Sequence, residues 1–379
     1  MRCRSRRPNE RVGQTNAMTT PRCDVAIVGG GPGGCATALS LRSHARSLAV
    51  VLIEASAYQP PRLGETLPPP VRRLLEHLGV WEAFKRQGHR EVYGTAAAWG
   101  DAGLRENDFI FTPHNTAWHL DRAAFDAMLA REAAWRGACV RLRTRVCDTT
   151  REGSVWRLQL SDGSELVTRF AVDATGNASV IGRRSHARVV ISDHLTGFAR
   201  FFQEERRADP RTLVEAFADG WWYTAGIPGG RRIAVCLTDT DLARRLRLAD
   251  LSQWSQQIEA TTHIRQALYG ARPHGPLIVR TTSSRWLEPV AGDGWLAVGD
   301  AASTFDPLSS QGIIKALRSG IFASYAIADL LTRGTDAGLA RYRRYVREEF
   351  ESYLQVRAKY YGEEHRWPHS AFWRRRQVL

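Results

Sequence analysis

The chain has 379 residues, 43% of them hydrophobic and 24% charged. That is enough apolar material for a sizeable core and about two domains, and it excludes a disordered tail protein or a disulfide-stapled mini-fold. Lys+Arg number 53 against 39 Asp+Glu, a net +14, which raises a nucleic-acid or membrane-surface partner.

The placement of the charge argues against both. Residues 1–20 carry Arg2, Arg4, Arg6, Arg7 and Arg11 against Glu10, and the last fourteen carry four arginines and no acid; +4 at each end leaves +6 on residues 21–365. Only three cations are lysines, Lys85, Lys315 and Lys359, and no stripe alternates basic with aromatic residues. No nucleic-acid partner is expected. No run approaches the ~18 to 20 apolar residues of a membrane span, so no stable membrane insertion is expected. Six cysteines show no C-x-x-C or Cys/His ligand spacing, so neither a zinc site nor a disulfide framework is indicated, and a cytoplasmic location is expected.

In chain order, residues 1–20 read as a disordered arm without the apolar core of a secretion signal, with Met18 as an alternative start. Asp24–Val28 is a β-branched strand bounded by Gly29-Gly-Gly31-Pro-Gly-Gly34, and Cys35–Arg42 has helical character. Strand, glycine turn and helix are the setting in which G-x-G-x-x-G binds a dinucleotide: Gly29 permits the turn, Gly31 admits a pyrophosphate, and Gly34 lets helix pack on strand. A second strand, Leu48–Ile53, ends at Glu54, whose carboxylate suits the ribose hydroxyls of an adenosine.

Asp121 caps a helix opening at Arg122 and carrying Phe125, Met128 and Leu129 on one face. The strand Cys139–Val146 follows, then Arg169–Asp173 leading into Asp173-Ala-Thr-Gly176. Further strands are Val155–Leu160, Leu195–Phe202 and Arg232–Leu237. Residues 241–269 and 335–363 read as helices, with breaks marked by Pro273 and Pro368. Near the end, Gly294–Gly299 is a strand that meets Asp300, the turn Pro307-Leu-Ser-Ser-Gln-Gly312 and the long helix opening at Ile313.

In this order the motifs resemble the flavoprotein monooxygenases of the p-hydroxybenzoate hydroxylase fold, over about residues 22–330. The resemblance implies an α/β protein: a Rossmann-like FAD-binding domain, an antiparallel-sheet substrate domain and C-terminal helices. It divides the chain into the arm 1–20, a discontinuous FAD domain (21–60, 117–190, 276–330), a substrate domain (61–116, 191–275) and a helical segment (331–379). It implies that Gly29, Gly31, Gly34 and Glu54 bind FAD. Arg122 then lies at the pyrophosphate, Val146 meets the adenine through its backbone, Asp173 and Gly176 form the conserved-type turn, and Asp300 takes the ribityl chain. Pro307, Gly312 and Ile313 face the flavin, where a helix dipole stabilises negative charge near N1.

Pro61-Arg-Leu-Gly-Glu65-Thr-Leu-Pro-Pro69 and Trp118-His-Leu-Asp-Arg122 are similar to segments of the tryptophan-halogenase-related branch. Three features of its halogenases are replaced. Val92 stands where the phenol and pyrrole halogenases have their lysine. Pro307-Leu-Ser309-Ser310-Gln311-Gly312 replaces P-L-E-S-T-G, and Tyr223-Thr-Ala225-Gly-Ile227-Pro228 replaces W-x-W-x-I-P. The expectation is therefore a hydroxylase acting through a flavin C4a-hydroperoxide formed from reduced FAD and O2, on an electron-rich ring such as an indole. With Glu364-His-Arg-Trp367-Pro, these motifs resemble the LodB- and QhpG-type maturases, which hydroxylate a tryptophan in a partner polypeptide. The substrate is a small aromatic or a partner polypeptide. Ser309, Ser310, Gln311 and Tyr223 are the catalytic candidates, and Trp222 and Tyr223 the substrate contacts. Helix capping and core filling would explain the same residues. Glu65 and Arg62 read equally well as a loop ion pair, and no histidine is given a catalytic role. Electrons come from NAD(P)H directly or through a separate flavin reductase. A halogenase and a geranylgeranyl-reductase-type enzyme are the alternatives.

Overall fold

A computed structural model describes residues 21–59, 61–109, 116–204 and 209–377; the arm 1–20 and His114 lie outside the described residues. Strand β1 (Arg22–Val28) runs into helix α1 (Pro32–His44), and β2 (Val50–Ile53) follows. Pro32 sits in the first helical turn and no side chain caps the helix start at Gly31, so the first amides of α1 stay available to an anion. A short stretch then holds β3 (Thr66–Leu67), α2 (Val71–His77), α3 (Trp81–Lys85), β4 (Arg90–Val92), β5 (Gly94–Ala98), β6 (Arg105–Asp108) and β7 (Ala117–His119). Helix α4 (Arg122–Trp135) opens where the sequence places it, with the Asp121 carboxylate accepting the Ala124 amide.

Four strands, β8 (Cys139–Arg141), β9 (Val146–Glu152), β10 (Val155–Leu160) and β11 (Glu165–Asp173), lead to α5 (Val180–Arg184) and β12 (Arg188–Ile191). They complete a sheet of order β19-β20-β11-β1-β2-β8, parallel at its centre, with β10 added antiparallel to β11 and β9 antiparallel to β10. One end of it is formed by β19 (Ala291–Gly292) and β20 (Trp295–Ala297). The β1 core residues Val25, Ala26 and Ile27 are fully buried, as expected of a strand covered on both faces.

The second sheet has the order β17-β13-β16-β15-β14-β5-β6. It is built from β13 (Leu195–Gln203), β14 (Thr212–Phe217), β15 (Gly220–Ile227), β16 (Arg231–Asp239) and β17 (Arg272–Thr281), together with β5 and β6. All neighbours are antiparallel except β14 and β5. Helices α6 (Thr240–Arg245), α7 (Leu251–Glu259) and α8 (His263–Ala267) connect β16 to β17, and β18 (Arg285–Glu288) and β21 (Ser303–Thr304) pair beside β12. The chain ends in α9 (Gly312–Arg333), α10 (Ala337–Gly362) and α11 (Ala371–Gln377). Phe372 and Trp373 of α11 are fully buried against Trp221 and Tyr361, so the last helix closes one face of the second sheet.

Three local expectations are corrected. The strand 139–146 is two strands, interrupted at Arg143 with φ +53°; such a conformation is uncommon outside glycine and ends a strand. The helix 241–269 is three short helices, with Arg247 at φ +53° between the first two. Pro273 does not break the chain but lies inside β17, an edge strand, where no ladder hydrogen bond is demanded of it.

Candidate cofactor and active site

The carboxyl ends of β1, β11 and β20, the starts of α1 and α9, and the inner face of the second sheet enclose a cavity of about 490 Å³. Two long helices, α1 and α9, begin at its wall, and neither start is capped by a side chain. Both macrodipoles therefore present positive ends to whatever occupies it. They are held at close range because a Cβ at Gly320 of α9 would overlap the Gly33 carbonyl of α1.

The glycine turn divides its labour as the spacing implies. Gly29 has φ +111° and a Cβ there would overlap the Ala174 carbonyl, while a Cβ at Gly34 would overlap the Gly29 carbonyl; both are required by backbone contact. Gly31, Gly176 and Gly312 are different. A Cβ at each would meet nothing within 4 Å and all three line the cavity, so they form a cradle of bare backbone. At one end, behind the wall, Glu54 accepts the Gly30 amide at 2.8 Å, the Ser56 hydroxyl at 2.5 Å and Arg62 at 2.8 Å. Against its burial, these partners hold the carboxyl below the usual range. Arg62 also reaches Asp126 at 2.8 Å, and Arg122 donates to the Leu63 and Gly64 carbonyls at 2.7 and 2.8 Å. This donor set fits an anionic dinucleotide with a ribose at one end: uncapped amides, guanidinium groups and one ionised carboxylate.

At the other end Asp300 lines the cavity and takes the Lys315 ammonium at 2.9 Å. Lys315 is buried, also bonded to the Ser303 carbonyl, and sits over the Phe305 ring. Its position in the first turn of α9 gave no sequence signal for this contact. The substrate-side wall is aromatic: Trp221, Tyr223 and Phe305 face inward. Trp221 donates to Tyr361 at 2.9 Å, which donates to Asp306 at 2.7 Å. The Glu65 carboxyl is buried in this wall and hydrogen-bonded to Tyr223, and burial raises it above the ordinary carboxylate value. Burial and the neighbouring Glu65 likewise raise the Tyr223 phenol. A neutral-to-ionised carboxyl coupled to a phenol is equipped to exchange a proton with a ring lying against them.

Of the residues singled out in the sequence, Gly31, Gly34, Arg122, Gly176, Tyr223, Asp300, Pro307, Ser310, Gly312 and Ile313 meet at the cavity. Gly29, Glu54 and Asp173 stand behind the wall and shape it. Asp173 accepts the Thr175 hydroxyl at 2.6 Å and the Gly182 amide at 2.9 Å. Val146 opens β9 opposite Leu160 and does not line the cavity. Trp222 is a correction: strand alternation sends it to the opposite face, fully buried against Trp254, and Trp221 takes the inward place. Ser309 and Gln311 are corrected too. The Ser309 hydroxyl donates to the Asp306 carbonyl at 2.8 Å and accepts the Gln311 amide at 3.2 Å, so this pair shapes the turn before α9. Val92, at the halogenase lysine position, is buried and outside the wall. Among the described residues no cluster could hold a metal, and no helix is long and apolar enough to cross a membrane.

The tryptophan halogenase family matches this chain over residues 24–104 and 96–379. The FAD-dependent oxidoreductase LodB of Marinomonas mediterranea is 31% identical over 363 residues, covering 94% of this chain and 97% of LodB. Among solved structures, the myxobacterial chondrochloren halogenase CndH superposes with a TM-score of 0.87 at 25% identity, covering 95% of this chain and 86% of CndH. The peptidyl tryptophan dihydroxylase QhpG, essential for tryptophylquinone cofactor biogenesis, superposes with a TM-score of 0.77 at 25% identity, covering 94% and 79%. The chain belongs to the tryptophan halogenase family, and it is a flavoprotein oxidoreductase that uses FAD and O2.

Proposed function

We propose that this enzyme is an FAD-dependent monooxygenase that hydroxylates an electron-rich aromatic ring, an indole, in the setting of a tryptophan carried by a partner polypeptide. One observation carries the reading: an aromatic wall holds the coupled pair Glu65 and Tyr223, and among the described residues no lysine lines the cavity. Lys85 and Lys359 are exposed, and Lys315 is committed to Asp300 and Ser303. A halogenating site of this family needs an ammonium group beside the substrate. The likeness to LodB and to the peptidyl tryptophan dihydroxylase QhpG supports the choice of ring.

Gly31, Arg122, Gly176 and Asp300 would hold FAD, with Gly312 and Ile313 at the flavin. Bound and reduced, it supplies the transfer of oxygen from O2. The electrons come from NAD(P)H, directly or through a separate flavin reductase. The protein orients the ring between Trp221, Tyr223 and Phe305 and keeps water away with the apolar surface of Val235, Leu237 and Ile278. As the oxygenated carbon gives up its hydrogen as a proton, the Tyr223 oxygen takes it while the phenol's own proton moves to Glu65. The two sheets correspond in this reading to a cofactor domain and a substrate domain. The five described cysteines are free, which suits a reducing cytoplasm.

The test is purified holoenzyme with reductant and O2, offered N-acetyltryptophanamide and a co-expressed partner, with products weighed. A gain of roughly 16 or 32 Da, one or two oxygen atoms, is expected. Chloride- or bromide-dependent mass gain would establish halogenation instead, and peroxide release with every indole unchanged would sink the assignment.

A further inference from the structure

We propose that the free edge of β17 is a docking rail on which an extended, acidic segment of the partner polypeptide adds as a strand and is led to the cavity. This rests on the peptidyl reading above. Strand β17 is ten residues long and pairs only with β13 among the described residues. Its continuation β18 carries β12 on one side and β21 on the other. The linking segments are tied by Thr282 donating to Leu195 at 2.9 Å and Ser192 donating to Ser284 at 2.8 Å, so β12 lies on the β13 side. The free edge of β17 therefore faces the β21 side, where Asn177 and Thr304 border the cavity.

The direction of the edge groups can be read from the side chains that already bond two of their carbonyls. The Thr281 carbonyl accepts Asn177 at 3.0 Å and the Val279 carbonyl accepts Arg280 at 2.9 Å; both point away from β13. In an antiparallel strand the N–H and C=O of one residue point the same way. Leu277, Val279 and Thr281 are therefore the outward set, while Ile278 and Arg280 bond to β13 and turn their side chains to the cavity. Edges are normally blunted by proline, bulges and charge. Here Pro273, Pro276, Gly275 at φ +75° and a register shift blunt the far half. Leu277–Val279, at the cavity, carry none of these. The charge selects the occupant. β17 holds His274 and Arg280 and no carboxylate, Arg200 reaches across from β13 to Gly275 at 3.3 Å, and Arg280 is paired with no carboxylate among the described residues. The chain's own first twenty residues, at +4, are mismatched to this edge. Strand addition supplies main-chain affinity and leaves every second side chain free to enter a pocket.

Val279→Pro removes an outward N–H without touching the β13 ladder. The probes are the peptide Ac-Glu-Val-Thr-Trp-Thr-Val-Glu-amide, its Glu-to-Lys counterpart and N-acetyltryptophanamide, all with the holoenzyme. The acidic peptide is expected to slow hydrogen exchange at Leu277–Thr281 about tenfold. V279P is expected to abolish that protection and raise the peptide's KM about tenfold, the equivalent of a lost hydrogen bond or two, with turnover of N-acetyltryptophanamide unchanged. Absence of protection in the wild type, or equal peptide KM in both proteins, overturns the docking edge, and equal protection by the lysine peptide overturns the acidic partner. Should no indole be oxidised, the hydroxylase reading fails, and the exchange measurement still decides the edge.

Discussion

His119, the last residue of β7, is fully buried against β14 and β15 of the second sheet. Its Nδ1 lies 2.8 Å from the Gly226 carbonyl and its Nε2 2.8 Å from the Thr212 hydroxyl. A carbonyl only accepts, so the proton sits on Nδ1, and Nε2 accepts from Thr212. Thr212 lies 3.3 Å from Thr66, and both threonines line the cavity. Burial, and then the charges of Arg90 and Arg232, push the imidazole down from 6.5 to about 4. A histidine depressed on folding contributes stability above its unfolded value and loses it as the pH falls toward the folded one. Over the window from pH 8 to 4.5 that amounts to about 2 to 3 kcal/mol. His119→Asn keeps a donor for Gly226 and cannot titrate. Its expected cost is about 1 to 2 kcal/mol at pH 8, for the lost Thr212 acceptor, and its stability then declines less steeply with acid. Urea unfolding followed by tryptophan fluorescence at fixed FAD concentration measures both curves. Parallel curves for variant and wild type would show that this imidazole does not charge on unfolding, and the reasoning would be wrong.

Gly34→Ala places a methyl on the Gly29 carbonyl, and the purified protein is expected to elute largely free of FAD with a lowered Tm. Trp221→Phe removes the donor to Tyr361 inside the wall and is expected to cost about 1 kcal/mol in unfolding experiments for that lost hydrogen bond, the phenol keeping its bond to Asp306. Glu65→Gln removes the proton acceptor, and kcat is expected to fall roughly 10² to 10⁴-fold. Because burial raises the Glu65 carboxyl, the wild-type acid limb of kcat/KM lies above 4.5, and the variant's profile lacks it.

The glycine turn and the Asp-capped helix were legible because each is a local device, met within a few residues of chain. Trp221 and Trp222 were not separable in the sequence. β15 is buried on both faces, so polar alternation could not fix which tryptophan faces inward. Glu65 meets Tyr223 only because the strap before β3 crosses beneath the second sheet, a contact without local signature. Ser309 and Gln311 carry residue types that serve equally as caps or ligands, and only the observed turn, with Ser310 at φ +51°, decides. The first of the two breaks in residues 241–269 falls at a left-handed arginine, Arg247, a residue type that gives no warning of that conformation.

The crossing of α1 and α9 at Gly33 and Gly320 joins segments from opposite ends of the polypeptide. A nascent chain that has emerged as far as β20 already owns the glycine turn after β1, yet α9, which completes the cavity wall, has still to emerge. Ribosomal order thus separates the two halves of the proposed cofactor cradle in time, and FAD held as proposed would be the clasp that joins early chain to late chain. Under that placement, loading with flavin would report that both helices have been delivered.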